Sequence, residues 1–503
     1  MKRLPLVPLL LLGFLTGGAA PAPVPTAKPN FVVILTDDQD LTLGSLDYMP
    51  RTRELIAQQG MTFSNYFVPL SLCCPSRATI LTGLYPHNHK VYTNFPPDGG
   101  YERFDELRHE RASLATALHA AGYRTALIGK YLNGYPGTEK STYVPPGWDE
   151  WASPVAGSAY AAYRFTLNEN GKTVKYGSRP EDYMTDVLAG KATAFVRGAA
   201  GPAGNGKPFF LYLATYAPHK PATPAKRHAG LFPGLKAPRT PSFNEADVSD
   251  KPARIRALPK LDAGQIAAID TIYRKQRLSL QAVDEMVAAL VRTLQETGQL
   301  ANTYIVFTSD NGFHMGQHRL DQGKYTPYET DVHVPLLIRG PGVPAGATAS
   351  ALAASVDLAP TLAELAGAKL TVDFDGRSLV PLLRGQIPSD WRRMVLLEQF
   401  PFPPAPPRAG EALEPPDPQD EKAAADYPAH AGLRTADFKF VAYATGEREV
   451  YDLRSDPDEL ANLCDRVGQA WLTRLSRMSK ALGQCAGATC RQLESRPVPA
   501  LPR

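Results

Sequence analysis

The residues of this chain best suited to chemistry stand at fixed spacing in one short segment. They are Cys73, Pro75, Ser76, Arg77 and Gly83. Five specified positions are far harder to meet by chance than a motif of two glycines. The proline suits a first helical turn, so residue 73 is expected just before a helix N-terminus, where backbone N–H groups favour anions. The segment therefore predicts an anion site beside a cysteine.

The five cysteines of the chain also admit a structural interpretation. Cys73 and Cys74 could be buried apolar residues, or one of them could join a disulfide. We expect that structural role for Cys74, whereas the Pro-Ser-Arg sequence that follows favours chemistry at Cys73. In an exported protein Cys485 and Cys490 could close a small loop, which would leave Cys74 and Cys464 to pair or to stay free.

Two oxygen-rich dipeptides supply a second set of candidates. Asp37 with Asp38, and Asp310 with Asn311, offer three carboxylates and an amide carbonyl. These are hard ligands suited to Ca²⁺ or Mg²⁺, and no cluster of cysteine and histidine suggests zinc. Taken alone, each pair is more often a helix cap or a turn.

Four apolar runs predict buried strands that would position these residues. Helices are predicted between them around 51–59, 112–121 and 262–297, and such alternation is typical of an α/β fold with a mostly parallel sheet covered on both faces. In such sheets ligands bind beyond the carboxyl ends of the strands. Each predicted strand ends in or just before a candidate residue, which supports one composite site. The strands are Asn30–Thr36, Tyr123–Lys130, Pro208–Tyr216 and Thr303–Ser309.

The rest of the chain predicts a second, smaller unit. Residues 28–385 form the predicted main unit, and residues 390–503 form a small C-terminal α+β subdomain. Within the second unit, residues 401–428 are rich in proline and acidic side chains and predict an exposed excursion. The elements of the subdomain are antiparallel strands at 432–444 and 449–453 and a helix at 471–482.

Composition sets bounds on partners and location. A formal net charge of +4 over 503 residues is nearly neutral, so neither nucleic acid nor a membrane surface is an expected partner. Residues 1–22 resemble a secretory signal peptide, because basic residues precede an apolar run that is too short for a membrane span. We therefore expect an exported protein, periplasmic or secreted. The lack of Asn-x-Ser/Thr sites favours a bacterial protein over a glycosylated lysosomal one.

Taken together, these motifs resemble the type I sulfatases, and within them most closely the N-acetylglucosamine-6-sulfatases. The metal and cysteine motifs are common to the whole superfamily, whereas GKYLN and the Cys-Cys pair are typical of this branch. The resemblance spans most of the mature chain. It rests on TDDQD at 36–40, CCPSRATILTGLYPHNH at 73–89, GKYLN at 129–133, DYMTDVLA at 182–189, APH at 217–219, TSDNGFHMGQ at 308–317 and VPLLIRGPG at 334–342.

The resemblance implies a mechanism and the cofactors that it uses. In type I sulfatases the first motif cysteine, here Cys73, is oxidised to formylglycine by a maturation enzyme before folding. The hydrated aldehyde carries two hydroxyls, of which one attacks sulfur while the other, once deprotonated, expels sulfate. The family's metal site corresponds to Asp37, Asp38, Asp310 and Asn311, with the modified Cys73 as a further ligand. The resemblance favours Ca²⁺ over Mg²⁺.

Basic residues occupy the other family positions. By the resemblance, Arg77 holds the formylglycine hydrate, while Lys130, His219 and Lys324 bind sulfate. His219 also protonates the leaving oxygen, and Asp310 accepts the proton of the attacking hydroxyl. A histidine at a strand end is more often structural, so the case for His219 rests on its motif.

Two features depart from the family pattern. Leu132 stands where the family usually has a histidine, and Asn133 could take over part of its polar role. The interval from His318 to Lys324 is one residue longer than usual. His314 and His318 lie in the same loop and could contact substrate, with a solvated loop as the alternative.

The implied function is hydrolysis of sulfate esters on an alkaline-phosphatase-like α/β fold. The expected substrate is a sulfated saccharide, in particular 6-sulfated N-acetylglucosamine in a glycosaminoglycan. Three alternatives remain: an arylsulfatase of broad specificity, a phosphodiesterase or phosphonate hydrolase of the same superfamily, and a non-catalytic protein that binds sulfated glycans. Relative turnover of sulfate and phosphate esters separates the enzymes, and binding without turnover identifies the last alternative.

Overall fold

The computed structural model describes residues 27–137, 142–401 and 427–502. The predicted signal peptide, residues 1–22, lies outside the described residues, as does most of the predicted excursion at 401–428. No helix in these three ranges is both long and apolar enough to cross a bilayer.

The described residues form a large sheet, a smaller one and two short strand pairs. In chain order the strands are β1 (Asn30–Thr36), β2 (Met61–Phe63), β3 (Tyr66–Phe67), β4 (Arg124–Gly129), β5 (Glu150–Gly157), β6 (Phe165–Glu169), β7 (Lys172–Lys175), β8 (Phe209–Ala214), β9 (Thr303–Ser309), β10 (His314–Met315), β11 (Gln322–Gly323), β12 (Leu336–Arg339), β13 (Ala347–Ala349), β14 (Ala353–Ala354), β15 (Val395–Gln399), β16 (His430–Arg434), β17 (Phe438–Tyr443) and β18 (Arg448–Asp452).

The large sheet has ten strands in the order β13-β2-β12-β9-β1-β8-β4-β5-β6-β7. Its middle strands, from β9 to β5, are parallel, whereas both flanks contain antiparallel pairs. The antiparallel flank of β6 and β7 is a hairpin closed by Asn170 and Gly171, both with positive φ, which is the backbone that a two-residue hairpin turn requires. The predicted α/β class is confirmed, with a sheet that is parallel in its middle and mixed as a whole.

β1 explains why the sheet is buried on both faces. Its side chains alternate, so that Phe31, Val33 and Leu35 enter one hydrophobic core while Val32 and Ile34 enter the other. Because β4, β8, β1 and β9 are parallel neighbours, their carboxyl ends lie along one edge of the sheet, as predicted.

Helices cover both faces of this sheet. In chain order they are α1 (Pro50–Thr52), α2 (Cys73–Thr82), α3 (Pro86–His89), α4 (Gly100–Glu106), α5 (Leu114–Ala120), α6 (Met184–Ala200), α7 (Ala253–Arg256), α8 (Ala263–Glu296), α9 (Glu329–Val332), α10 (Leu358–Ala366), α11 (Val380–Leu383), α12 (Gln469–Leu482) and α13 (Ala488–Glu494). Side chains of α6 and α8 join the core of Val32, and those of α2, α5 and α10 join the core of Phe31.

The helix predictions hold in kind and differ in bounds. The helix predicted at 51–59 is only α1 followed by a π turn, Arg53–Ala57. The long helix predicted at 262–297 is α8, which begins where the Asp262 carboxylate accepts a hydrogen bond from Gln265 N at 2.8 Å. Turns of 3₁₀ helix lie at Ser45–Tyr48, His109–Ala112, Pro180–Asp182, Pro202–Gly204, Lys226–His228, Leu300–Asn302 and Ser355–Asp357.

The smaller sheet is antiparallel and runs in the order β15-β16-β17-β18, with α12 and α13 nearby. The single strand predicted at 432–444 is wrong, because a turn divides it into β16 and β17. Thr435 makes that turn, because its N–H and its hydroxyl donate to Phe438 O at 2.9 Å and 2.8 Å, and its hydroxyl accepts from Phe438 N at 2.9 Å. A disulfide joins Cys485 and Cys490, whereas Cys74 and Cys464 are not in a disulfide. The division between units at 385–390 stays a prediction.

Candidate active site

α2 carries the cysteine motif to the carboxyl edge of the sheet. Cys73 is the first residue of this helix, not the residue before it, because the backbone of Leu72 is still extended and Ser76 N donates to Leu72 O. Cys74 N donates to Asn94 Oδ1 at 2.9 Å, and the Cys74 side chain lies in the hydrophobic core. The two adjacent cysteines therefore separate, with Cys74 packed among apolar side chains and Cys73 turned toward carboxylates.

Carboxylates at the ends of β1 and β9 meet beside Cys73. Cys73 Sγ lies 3.3 Å from Asp37 Oδ1 and 3.9 Å from Asp38 Oδ1. The β9 end is joined to them because Asp310 Oδ1 accepts from Asp38 N at 3.2 Å, and Asn311 Nδ2 donates to Asp38 Oδ1 at 2.6 Å. All five side chains are buried. The structure thus brings the predicted metal ligands together with the predicted nucleophile.

Two buried lysines and an arginine surround this acidic cluster. Lys130 Nζ lies 2.7 Å from Asp37 Oδ2, and Lys324 Nζ lies 2.6 Å from Asp38 Oδ1 and 2.8 Å from Cys73 Sγ. Gly129 places Lys130 here, because its φ is +112° and a Cβ would stand 1.8 Å from Ala214 O of β8. The lysine can therefore follow β4 directly into the site.

Arg77 is held by the opposite side of the cluster. Its Nε donates to Asp310 Oδ2 at 2.7 Å, and its Nη1 donates to the carbonyl of Lys130 at 3.0 Å. A second nitrogen, Nη2, lies 3.9 Å from Asp37 Oδ2. The guanidinium therefore fixes the ends of β9 and β4 relative to α2.

His219 is the most exposed member of the set, with 16% of its side chain accessible. Its Nδ1 lies 2.7 Å from Lys220 O, and because a carbonyl only accepts, Nδ1 carries the hydrogen. Its Nε2 lies 3.4 Å from Asp38 Oδ2. The histidine is thus placed at the mouth of the site with Nε2 toward the cluster.

The charges of the cluster shift the pKa values of its members. Burial raises the pKa of Asp37, but Lys130 and the other cations outweigh it and hold the pKa well below its ordinary value. Burial, with the nearby Asp37 charge, raises the pKa of the Cys73 thiol well above its ordinary value. An unmodified thiol at residue 73 would therefore be protonated at neutral pH and a poor nucleophile.

The donor set fits a hard divalent cation. Asp38 Oδ2 and Asn311 Oδ1 are buried and make no hydrogen bond within the described residues. Ligand atoms of Asp37, Asp38, Cys73 and His219 all lie within 4.8 Å of one another. Buried oxygen atoms without hydrogen-bond donors are suited to Ca²⁺ or Mg²⁺.

The other predicted candidates occupy different positions. His314 and His318 are both buried, so the solvated-loop alternative is wrong; His314 Nδ1 contacts Asp331, and His318 Nδ1 lies 2.7 Å from Glu245 Oε2. Leu132 lies in the hydrophobic core, so the position of the family histidine carries no polar group here.

Two aromatic residues near the site had not been predicted. The Tyr160 ring centroid lies 5.0 Å from Lys130 Nζ and 4.5 Å from the His219 ring, and Tyr216 lies 5.8 Å from the same Nζ. Tyr160 follows β5 at the antiparallel flank, and no motif around it signals a site. Tyr216 does end a predicted strand, which is a signal that could have included it.

Comparisons with known proteins agree with this arrangement. A family model described as sulfatase matches residues 29–368. The chain is 37% identical to N-acetylglucosamine-6-sulfatase of Homo sapiens over 511 residues, covering 96% of this chain and 90% of that protein.

Solved structures give the same result for the fold. BT4656, solved in complex with its substrate D-glucosamine-2-N,6-O-disulfate, matches with a TM-score of 0.72 and 26% identity over 94% of this chain and 99% of its own. The phosphonate monoester hydrolase of Silicibacter pomeroyi matches with a TM-score of 0.66 and 25% identity over 90% and 94%. The fold implied by the sequence motifs is confirmed.

Proposed function

Because the chain belongs to the sulfatase family and is a hydrolase of sulfate esters, we propose that it removes the 6-sulfate from glucosamine residues of sulfated saccharides. The name of the human relative, N-acetylglucosamine-6-sulfatase, supports this position of the sulfate. The ligand of BT4656, a 6-O-sulfated glucosamine, supports it too. The proposed natural substrate is a glycosaminoglycan or a related polysaccharide.

The observation that carries the proposal is the contact of Cys73 with charges of both signs. Lys324 Nζ and Asp37 Oδ1 lie 2.8 Å and 3.3 Å from its sulfur. Cations next to the nucleophile position favour an anionic ester, and carboxylates next to it can accept a proton or hold a metal. A buried structural cysteine needs neither.

We propose that Cys73 is converted to formylglycine by a maturation enzyme, and that Asp37, Asp38, Asp310, Asn311 and residue 73 hold Ca²⁺. A formylglycine hydrate supplies a hydroxyl that attacks sulfur and a second hydroxyl that lets sulfate leave. A bound Ca²⁺ offsets negative charge on the sulfate oxygens. Mg²⁺ is the less favoured ion because it demands more regular geometry than a site of this mixed composition offers.

The basic side chains bind and orient the sulfate group in this proposal. Lys130 and Lys324 are buried donors, and their contacts with Asp37 and Asp38 hold each Nζ in place. Such fixed donors stabilise developing charge without having to reorganise. Arg77 positions Asp310, which accepts a proton from the attacking hydroxyl.

His219 protonates the leaving sugar oxygen. Its hydrogen on Nδ1 is directed to Lys220 O, so Nε2 is the atom that exchanges a proton with substrate. Its partial exposure suits this task, because the sugar must approach from solvent. His314 is proposed as a further substrate contact.

The protein is proposed to act outside the cytoplasm. The disulfide between Cys485 and Cys490 supports an oxidising compartment, and the predicted signal peptide at residues 1–22 supports export to the periplasm or medium. No stable membrane insertion and no nucleic-acid partner are proposed.

A panel of substrates tests the proposed specificity. Matured protein with Ca²⁺ is assayed for sulfate release from N-acetylglucosamine 6-sulfate, from a glucosamine sulfated only at N, and from p-nitrophenyl sulfate. We expect the 6-sulfate to have the highest kcat/KM, and Cys73→Ala to abolish all turnover. A higher kcat/KM for a phenylphosphonate monoester would make the protein a phosphonate hydrolase. Glycan binding without turnover in matured protein would leave only a binding function.

A further inference from the structure

A buried carboxylate outside the proposed metal site connects two of its loops. Asp331 lies in the short helix α9, and its side chain is fully buried. It contacts neither Cys73 nor the acidic cluster in any hydrogen bond among the described residues. Both of its oxygens accept from His314, which follows Asn311 by three residues, and Oδ2 also accepts from Thr326, which follows Lys324 by two.

The first of these contacts determines which nitrogen of His314 carries hydrogen. His314 Nδ1 lies 3.0 Å and 2.9 Å from the two oxygens of Asp331. Because a carboxylate only accepts, Nδ1 must donate. A neutral His314 therefore presents Nε2 as an acceptor.

The second contact holds the loop of Lys324. Asp331 Oδ2 accepts from Thr326 Oγ1 at 2.6 Å and from Thr326 N at 3.1 Å. Thr326 follows Lys324 by two residues, and Thr326 O accepts from Ser71 Oγ at 3.1 Å, two residues before Cys73. The position of Lys324 Nζ relative to Cys73 thus depends on a short chain of buried hydrogen bonds.

The backbone of α9 holds the third neighbouring segment. Gly312 N, directly after Asn311, donates to Asp331 O at 2.8 Å. A Cβ on Gly312 would lie 2.1 Å from Thr330 O, so only glycine permits this approach. The loop after β9 and the loop of Lys324 therefore meet at the same short helix.

The C-terminal sheet anchors α9 from the other side. Glu329 receives a bidentate contact from Arg434, at 2.9 Å and 3.0 Å, and Lys439 Nζ donates to Pro327 O at 2.6 Å. Glu329 N donates to Glu459 Oε2 at 2.8 Å. All of these side chains are buried, so α9 has little freedom to move.

From this geometry we infer that Asp331 is a positioning residue for sulfate ester hydrolysis. Asp331 sets the tautomer of His314 and the placement of Lys324. The inference rests on the proposed function, because it takes Lys324 and Cys73 to act on the ester. The alternative is a carboxylate that only stabilises the fold. The two differ in what an amide at residue 331 would do, since Asn keeps the shape of Asp but presents a donor.

The test compares Asp331→Asn with Asp284→Asn. Asp284 of α8 is an equally buried carboxylate. It accepts hydrogen bonds from the N–H and the hydroxyl of Thr52 at 2.7 Å and 2.8 Å. It therefore matches the Thr326 contact of Asp331 without touching the site. We expect at least a roughly tenfold lower kcat for Asp331→Asn, because a histidine proposed to contact substrate would then have the wrong tautomer. Asp284→Asn is expected to retain wild-type kcat.

The tautomer is read independently of turnover. Nitrogen NMR of protein with ¹⁵N-labelled histidine, assigned with His314→Gln, is expected to show Nδ1–H in the wild type and Nε2–H in Asp331→Asn. An unchanged His314 tautomer, or a kcat within twofold of wild type, overturns the inference. If the wild type has no turnover, the proposed function fails. The tautomer measurement would still show whether Asp331 positions His314.

A second variant covers a failure of Asp331→Asn to fold. Thr326→Val removes the 2.6 Å hydroxyl contact and leaves the carboxylate in place. We expect kcat for a sulfate ester to fall about fivefold, the equivalent of one hydrogen bond of about 1 kcal/mol that orders the Lys324 loop. Wild-type kcat in a folded Thr326→Val protein contradicts the inference.

Discussion

Replacement of Lys324 by methionine tests the proposed electrostatics of the site. The Lys324 side chain is 2% exposed, and its Nζ reaches both Asp38 Oδ1 and Cys73 Sγ within 2.8 Å. Methionine has nearly the same length and fills the same space, so the substitution Lys324→Met removes the charge and its hydrogen bonds with little change of packing.

The expected loss of activity follows from these contacts. One fixed donor aimed at developing charge contributes about 3 kcal/mol, or roughly two to three orders of magnitude in rate. Lys130 still faces the cluster from the other side, which limits the loss. We therefore expect kcat/KM for p-nitrophenyl sulfate to fall by about two to three orders of magnitude.

The same substitution has a consequence for stability. Asp38 would still accept the hydrogen bond from Asn311 Nδ2 at 2.6 Å, but its fully buried carboxylate would lose its lysine partner. Breaking a buried ion pair on one side lowers the free energy of unfolding by about 3 to 5 kcal/mol. Because a divalent cation would compensate part of that loss, we expect the drop in Tm to be larger in EDTA than in Ca²⁺.

Steady-state kinetics and thermal unfolding of matched variants provide the assay. Lys251→Met is the control, because Lys251 is also buried and ion-paired, with Glu245 at 3.3 Å and Asp250 at 3.1 Å, but belongs to another region. It should lower Tm and leave kcat/KM unchanged. The reasoning is refuted if folded Lys324→Met retains kcat/KM within fivefold of wild type, or loses no more activity than Lys251→Met.

Three further outcomes follow from the structure. EDTA should abolish turnover and lower Tm, because removal of the cation leaves three buried carboxylates to repel one another. Added Ca²⁺ should restore both turnover and Tm. Full activity after chelation would contradict the metal site. Burial lowers the pKa of His430 from 6.5 to about 4, so the folded protein should lose stability as the pH falls from 6.5 to 4. The free energy of unfolding should drop by about 3 kcal/mol more than in His430→Gln over that range. The same pH dependence of unfolding in the two proteins would contradict this. Gly312→Ala should lower kcat at least about tenfold, because its Cβ would lie 2.1 Å from Thr330 O and displace α9; wild-type kinetics would show that the contact relaxes without effect.

The strand-end residues could be predicted because their signal is local. A buried parallel strand is a continuous apolar run, and the polar residue at which it stops lies at the ligand-binding edge. This placed Asp37, Lys130 and Asp310 together before any contact was known. His219 lies three residues after the run at 208–216, but its role came from the family motif. Lys324 follows no such run and was found through the family motifs alone.

Other features depend on tertiary contacts that leave no local pattern. The pairing of Asp331 with His314 joins the short helix α9 to the short strand β10, and the position of α9 is set by Glu329 and the C-terminal sheet. Tyr160 reaches the site from the antiparallel flank, which the apolar runs did not predict. The start of α2 at Cys73 was missed by one residue, because a proline fits several positions of a first turn.

The most direct test of the account is the state of residue 73 in active protein from its native host. Peptide mass spectrometry across Cys73, with sulfate ester turnover measured on the same sample and on Cys73→Ala, joins the modification to the activity. The account predicts a formylglycine mass at residue 73 and turnover that the substitution abolishes. An unmodified Cys73 in protein that turns over sulfate esters would contradict the proposed chemistry.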